Sequence, residues 1–319
     1  EWMQATVPGT VLTTLLNNKL VPDPFYGMNN KQIPDIYDTG NDYYTYWFVK
    51  DFTEQVRNEC EQVWLNFRGV NYGCDIFLNG HRLNERIHFG MFLRQTYNIS
   101  TLLSNDGKNR LAVIVYPPDP PGNANGGQGG DGVIAKNVTH QYVAGWDWIQ
   151  PVRDRNTGIW DKVTVERTIS INLKNTHIIT LVPGIRYPDK PQESVIIKVS
   201  AEIDNPTNNS IYGILQYKLD GKVIKKEVIL PAGTISEIQL PDNTLNNPLL
   251  WWPNGYGNQA LYDMQVQFLS NGKLFDSENI RFGVREVQTN WNEQTRSRQI
   301  SINGQKIFIK GGNWIISDA

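Results

Sequence analysis

The stretch SVIIKVSAEI, Ser194 to Ile203, decides the fold. Val195, Ile197, Val199, Ala201 and Ile203 fall on one side of an extended chain, with Lys198, Ser200 and Glu202 on the other. A period of two is the pattern of a strand with one face buried and one wet. Further along, IYGILQYKL and KVIKKEVIL flank Asp220-Gly221, and ALYDMQVQFL runs into Asn271-Gly272. Both pairs tolerate the positive φ of a type I′ turn, so each marks a hairpin. Strands about ten residues apart with turn signals between them predict an immunoglobulin-like sandwich over residues 170–287. Lys222, Lys225 and Lys226 read as a solvated edge that discourages strand-to-strand aggregation.

Toward the N-terminus the same logic holds. YYTYWFVKDF (Tyr43 to Phe52), VWLNFRG (Val63 to Gly69), CDIFLNG (Cys74 to Gly80) and RLAVIVY (Arg110 to Tyr116) are short β-rich runs, with a hairpin turn at Asn79-Gly80. One helical spacing, Val11, Leu12, Leu15 and Leu16, lies between Pro8 and Leu20, and Pro22-Asp-Pro24 stops it. Residues 25–42 are turn-rich. The expectation is a first β-sandwich over residues 1–169. At the other end, QISINGQKIFIKGGNWIISDA holds a hairpin at Asn303-Gly304 and an apolar strand, Ile307 to Ile309, running into Gly311-Gly312-Asn313-Trp314. It reads as a final edge strand or as the first strand of a larger domain. Were that domain a (β/α)8 barrel, Asn313 and Trp314 would lie at the strand's C-terminal mouth, where such barrels keep their active sites.

Two stretches fit no regular element. QYVAGWDWIQPVRDRNTGIWDKVTV, Gln141 to Val165, sets Trp146, Trp148 and Trp160 beside Asp147, Arg153, Asp154 and Arg155. Sugars offer C–H faces to flat rings and hydroxyls to carboxylates and guanidinium groups, so this mixture suits a sugar-facing surface. It suits equally a sandwich core with a charged rim, and the residues alone leave both readings standing. Between Pro117 and Asn137, five glycines fall in the seven residues from Gly126 to Gly132. No Lys-Ser/Thr follows, so this is no phosphate loop. A rim over a pocket, where bare backbone approaches a ligand, is preferred to a linker because the β pattern resumes directly afterwards. Trp251 and Trp252 offer another sugar platform, with packing between domains the better reading.

Composition narrows the function classes. Thirty basic and 32 acidic residues leave a net charge of −2, which provides no electrostatic reason to expect nucleic acid or an anionic membrane. No apolar run approaches the roughly 18 residues of a membrane span, and EWMQATVPG lacks the pattern of an export signal, which has been removed or never existed. The four histidines show no metal-ligand spacing, and no cofactor motif is present. Cys60 and Cys74 fit either a single bridge or two packed thiols. Three sequons, at Asn98, Asn137 and Asn208, fit chance matches as well as glycosylation.

Taken together, VPGTVLTTLLNNKLVPDPFYGMNN (Val7 to Asn30), NYGCDIFLNG (Asn71 to Gly80), GGQGGDG (Gly126 to Gly132), GWDWIQPVRDRNTGIW (Gly145 to Trp160), LWWPNGYGNQALY (Leu250 to Tyr262) and INGQKIFIKGGNWIISD (Ile302 to Asp318) resemble glycoside hydrolase family 2. The likeness covers nearly the whole chain and is specific to the branch of β-mannosidases, exo-β-glucosaminidases and mannosylglycoprotein endo-β-mannosidases. It implies an all-β chain: a sugar-binding jelly roll over residues 1–169, the immunoglobulin-like sandwich over 170–287, and in residues 288–319 the start of a truncated catalytic barrel. It implies retaining hydrolysis by two glutamates on later barrel strands, so that no catalytic residue lies in this chain and the chain alone is inactive. Carried onto matching positions, Asp147 would accept hydrogen bonds from sugar hydroxyls, with Trp146 or Trp148 as the pocket wall. Gly129, Gly130 and Asp131 would form its rim, and Asn313 and Trp314 would line it from the barrel side. A β-linked mannoside or glucosaminide is the implied partner, and a bacterial source would favour the periplasm or the cell exterior. A freestanding carbohydrate-binding module is the competing reading. Pairing Asp147 with Asp154 as catalytic carboxylates would be a false assignment.

Overall fold

The first regular element is helix α1, Val11–Asn17. The Thr10 hydroxyl accepts from the Thr13 N–H at 3.1 Å, satisfying one of the amides that a helix start leaves without a partner. Val11, Leu12 and Leu15 are buried, as their spacing predicts, while Leu16 is half-buried. The turn-rich stretch resolves into single turns at Asn29–Gln32 and Asn41–Tyr44, around the short helix α2, Ile36–Thr39. Asp35 caps α2 by accepting from the Tyr37 N–H at 3.0 Å. The computed structural model describes residues 2–124, 133, 136–145 and 149–313. The chain divides into two units, Glu1–Arg167 and Thr168–Gly312.

The first unit contains β1 (Tyr46–Thr53), β2 (Glu61–Phe67), β3 (Gly73–Leu78), β4 (His81–Arg82), β5 (His88–Phe89), β6 (Gln95–Asn98), β7 (Lys108–Tyr116) and β8 (Val163–Ile169). One antiparallel sheet runs β1-β7-β3-β4 with β5 also on β3, and a second runs β6-β2-β8. Alternate residues of both sheets meet in one core: Val63, Leu65 and Phe67 of β2, Ile76 and Leu78 of β3, Val113 and Val115 of β7. Val11 and Leu15 of α1 join that core, so the predicted amphipathic helix is held by its apolar stripe. Cys74 is buried on β3, where desolvation pushes its thiol up to about 11, and Cys60 is exposed, so the two are not bridged.

The second unit contains β9 (Asn172–Leu181), β10 (Val195–Asn205), β11 (Ile211–Leu219), β12 (Lys222–Leu230), β13 (Thr234–Gln239), β14 (Asn243–Leu245), β15 (Tyr262–Ser270) and β16 (Lys273–Phe282). In β10 the five apolar residues from Val195 to Ile203 are all buried. β10 pairs with β9, β13 and β14, while the other sheet runs β12-β11-β15-β16. Both sheets contribute to one core, as in an immunoglobulin-like sandwich. The lysines of β12 stand exposed on an edge strand. Each of the four Asn-Gly or Asp-Gly hairpins has both central residues at positive φ, as at Asn271 (50°) and Gly272 (73°).

Trp252 is no sugar platform: it is 2% exposed and belongs to the second unit's own core. Trp251 has the Arg285 guanidinium 4.1 Å over its ring, which occupies a face a sugar would need. At the C-terminal end β17 (Val287–Asn292), β18 (Ser297–Ile302) and β19 (Gln305–Lys306) form a meander. The apolar run after it, Ile307 to Ile309, is not a strand. Past the Ile307 N–H, which donates to the Ile300 carbonyl, the next amide is taken by a side chain: Phe308 N–H donates to the Tyr256 hydroxyl at 2.7 Å. One backbone bond to β18 does not make a strand, whatever the β propensity of the run.

Candidate functional site

Both irregular stretches spring from hydrogen-bonded bases in the first unit. β7 ends at Tyr116, and a few residues on the Asn123 N–H donates to the Val133 carbonyl at 2.9 Å. That bond closes the base of the glycine-rich loop. The second loop leaves from a single turn at Gln141–Ala144 and returns where the Val152 N–H donates to the Val143 carbonyl at 2.7 Å. Beneath this base Val143 and Val152 pack with Leu12 of α1 and Ile33. A small apolar cluster thus anchors the loop to the helix that Pro8 to Leu20 predicts.

Arg155, 1% exposed, lies under both bases. A guanidinium has five N–H donors and no acceptor, and all five are used. Nη2 and Nη1 donate to the two oxygens of Asp35 at 2.8 and 3.0 Å. The remaining Nη hydrogens go to the carbonyls of Gly122 at 2.9 Å and Val152 at 2.8 Å. Nε donates to the Pro121 carbonyl at 3.2 Å. Arg153 adds a second ion pair to Asp35 at 3.1 Å and donates from Nε to the Asn30 carbonyl at 3.0 Å. Buried charge is tolerated only with a partner and full hydrogen bonding, and this cluster has both.

Asp154, fully buried, faces the other way. Its carboxylate accepts from the Leu12 N–H at 2.7 Å and the Asn156 N–H at 2.9 Å. Burial pushes its carboxyl up to about 6, and the backbone hydrogen bonds together with Arg155 act against that rise. Asp154 therefore fixes the start of α1 and touches no solvent, a brace with no access for a substrate. Asn71 completes the support by donating from Nδ2 to the carbonyls of Arg155 and Asn156, both at 2.9 Å.

A row of rings borders the second loop. His140 stacks on Tyr142 at 5.3 Å, Phe92 meets His140 at 5.4 Å, and Phe92 meets Trp160 edge-on at 6.1 Å. Burial lowers the pKa of His140. Trp160, the described tryptophan of the stretch, packs inward: it lies over Gly69, where a Cβ would come within 2.5 Å of its ring. Its Nε1 donates to the Met91 carbonyl at 3.0 Å.

Of the residues named from the sequence, Trp146, Asp147, Trp148, Asp131 and Trp314 lie outside the described residues, as do Gly129 and Gly130. Asn313 is described and is exposed, in a segment without regular structure. The described carboxylate that holds Arg153 and Arg155 is Asp35. Sequence reasoning missed Asp35. Pro34-Asp35-Ile36 carries a helix-cap signal, yet nothing local links it to an arginine 120 residues away. Among the described residues no group of histidine, cysteine and carboxylates is placed to hold a metal, and no helix is long and apolar enough to cross a membrane.

Along the chain a first β-sandwich with a clamp under two irregular loops precedes an immunoglobulin-like sandwich. Residues 1–161 match the family model of the glycosyl hydrolase 2 galactose-binding domain-like fold, and residues 176–285 match that of glycosyl hydrolases family 2. The chain belongs to glycoside hydrolase family 2. It is similar to the mannosylglycoprotein endo-β-mannosidase of Lilium longiflorum, 43% identical over 99% of this chain and 34% of that one. Among solved structures it is similar to the exo-chitosanase of Amycolatopsis orientalis, at TM-score 0.79 and 26% identity over 98% of this chain and 33% of that one. The β-D-mannosidase of Dictyoglomus thermophilum gives TM-score 0.74 and 28% identity over 99% of this chain and 38% of that one. The chain thus spans about a third of the length of the curated relatives it matches.

Proposed function

We propose that this chain is the N-terminal, non-catalytic portion of a retaining β-glycosidase that acts on β-mannosides, in the manner of an endo-β-mannosidase. The observation that carries the reading is the identity of 43% with the lily endo-β-mannosidase over almost the whole chain. Two exo-β-D-glucosaminidases reach 29% and 28%. On this reading residues 1–169 are a sugar-binding jelly roll, 170–287 a spacer sandwich, and 288–319 the approach to a catalytic barrel. Phe308 and Ile309, 73% and 63% exposed, support a further domain that would cover them. The catalytic glutamates would stand on later barrel strands, roughly 5–5.5 Å apart, and residues 1–319 alone would hydrolyse nothing.

Asp147 would accept hydrogen bonds from sugar hydroxyls, Trp146 and Trp148 would wall the pocket, and Asp131 would stand at its rim. Asn313 and Trp314 would line it from the barrel side. Support comes from the clamp: Asp154 and Arg155 are both buried and spent on structure, so neither is offered to a ligand, and Asp147 is the acid that the family likeness assigns to it. The exo-β-D-glucosaminidase alternative is favoured by the structural likeness to the exo-chitosanase. Assaying the full-length gene product on nitrophenyl β-mannoside, nitrophenyl β-glucosaminide and a Man-β-GlcNAc oligosaccharide separates the two. The expected result is cleavage of a mannoside substrate. Cleavage of only a β-galactoside or β-glucuronide overturns the branch assignment, and sugar binding by a gene product that ends near residue 319 would mark a binding module.

A further inference from the structure

We propose that Arg155, held by Asp35, is a positioning residue that locks the bases of both loops to each other and thereby sets the affinity for the glycan. The inference rests on the functional reading above for the glycan, and on geometry for the lock. Two of the five guanidinium hydrogens go to Pro121 and Gly122, the limb entering the glycine-rich loop just before its closing bond at Asn123. A third goes to Val152, whose own N–H closes the second loop. The last two go to Asp35, a residue of neither loop. One rigid planar group therefore fixes two limbs some thirty residues apart in sequence, with separations of 33 residues from Gly122 and 3 from Val152.

Among the described residues no neighbour duplicates this. Arg153 reaches Asp35 and Asn30 but donates to neither limb of the glycine-rich loop. A lysine at 155 keeps the charge and loses the fork, because an ammonium is a point with three donors. Without the guanidinium the carbonyls of Pro121, Gly122 and Val152 lose this donor beneath the surface, and the limbs shift to find others. Arg155 itself is buried and cannot touch a substrate. Its loss acts on ground state and transition state alike, which raises KM and spares kcat.

The test uses the full-length gene product and its cleaved β-glycoside, with hydrogen exchange at the amides of Asn123 and Val152 as a readout independent of activity. Arg155→Lys is expected to speed exchange at both amides together by about tenfold or more, and to raise KM by about tenfold with kcat within about threefold. Arg153→Gln is expected to leave the Asn123 amide unchanged. A folded Arg155→Lys protein that keeps either amide protected, or keeps its KM, overturns the proposal. If Arg155→Lys does not fold, Asp35→Asn serves instead: it keeps one acceptor and is expected to loosen both amides, and loosening only one sinks the idea. A wild-type protein that cleaves no β-glycoside defeats the functional reading, while the exchange result still decides whether Arg155 couples the two limbs.

Discussion

At the scale of single residues, the acids and arginines of VRDRNTGIW differ in role because they differ in burial and partners. Asp154 supports a prediction with a definite sign. Burial raises its carboxyl from 3.8 to about 6 in the folded chain, so the folded state binds the proton more tightly than the unfolded state does. The stabilisation this brings is fully present below about pH 4 and is lost as pH rises through about 6, a change of up to about 3 kcal/mol. Urea unfolding of the wild type and of Asp154→Asn across that window measures it: the stability of the wild type relative to Asp154→Asn should fall as pH rises. A difference that moves the other way would mean that the amides of Leu12 and Asn156 outweigh desolvation. None of this was legible from spacing. Asp147, Arg153, Asp154 and Arg155 look alike on paper, and only the path of the chain shows that Asp35 claims the arginines while Asp154 caps α1.

At the scale of elements, two glycines with positive φ show how sequence signals differ in reach. Gly272 closes the β15–β16 hairpin at φ 73°, and a Cβ there meets nothing within 4 Å. Gly158 has φ 154°, and a Cβ there would come within 2.5 Å of the Gly9 carbonyl oxygen and 2.6 Å of the Thr10 Cα. At this crossing the Gly9 N–H donates to the Ile159 carbonyl and the Val11 N–H to the Thr157 carbonyl, fastening the start of α1 to the NTGIW segment. Gly272→Ala should therefore cost only the backbone penalty, about 1 kcal/mol. Gly158→Ala adds a clash with main chain and should cost about 3 kcal/mol or more. Chemical denaturation of both variants checks the order; equal costs would mean that the chain around Thr10 yields freely. The hairpin glycine is readable from the Asn-Gly pair, whereas the crossing glycine is not, since the segment it admits lies far away in sequence.

At the scale of the whole molecule, each unit carries its own core. Among the described residues, the large cluster of the second unit lies between Ile171 and Val284, and that of the first between Met3 and Val163. Residues 168–312 expressed alone should thus give a single cooperative thermal transition followed by circular dichroism, as small domains with one core do. A broad, non-cooperative melt would show that this core depends on the remainder. What the sequence by itself determined is what local rules govern: period-two strands, turn pairs that need positive φ, an apolar stripe on one helix, and motifs enough to name the family. The tertiary structure alone decided that Trp252 is core, that Ile307 to Ile309 form no strand, and that one buried arginine joins two loop bases to Asp35. The physical reason is that strand and turn propensities act between near neighbours, whereas burial and the pairing of buried charge depend on which distant segments the folded chain brings together.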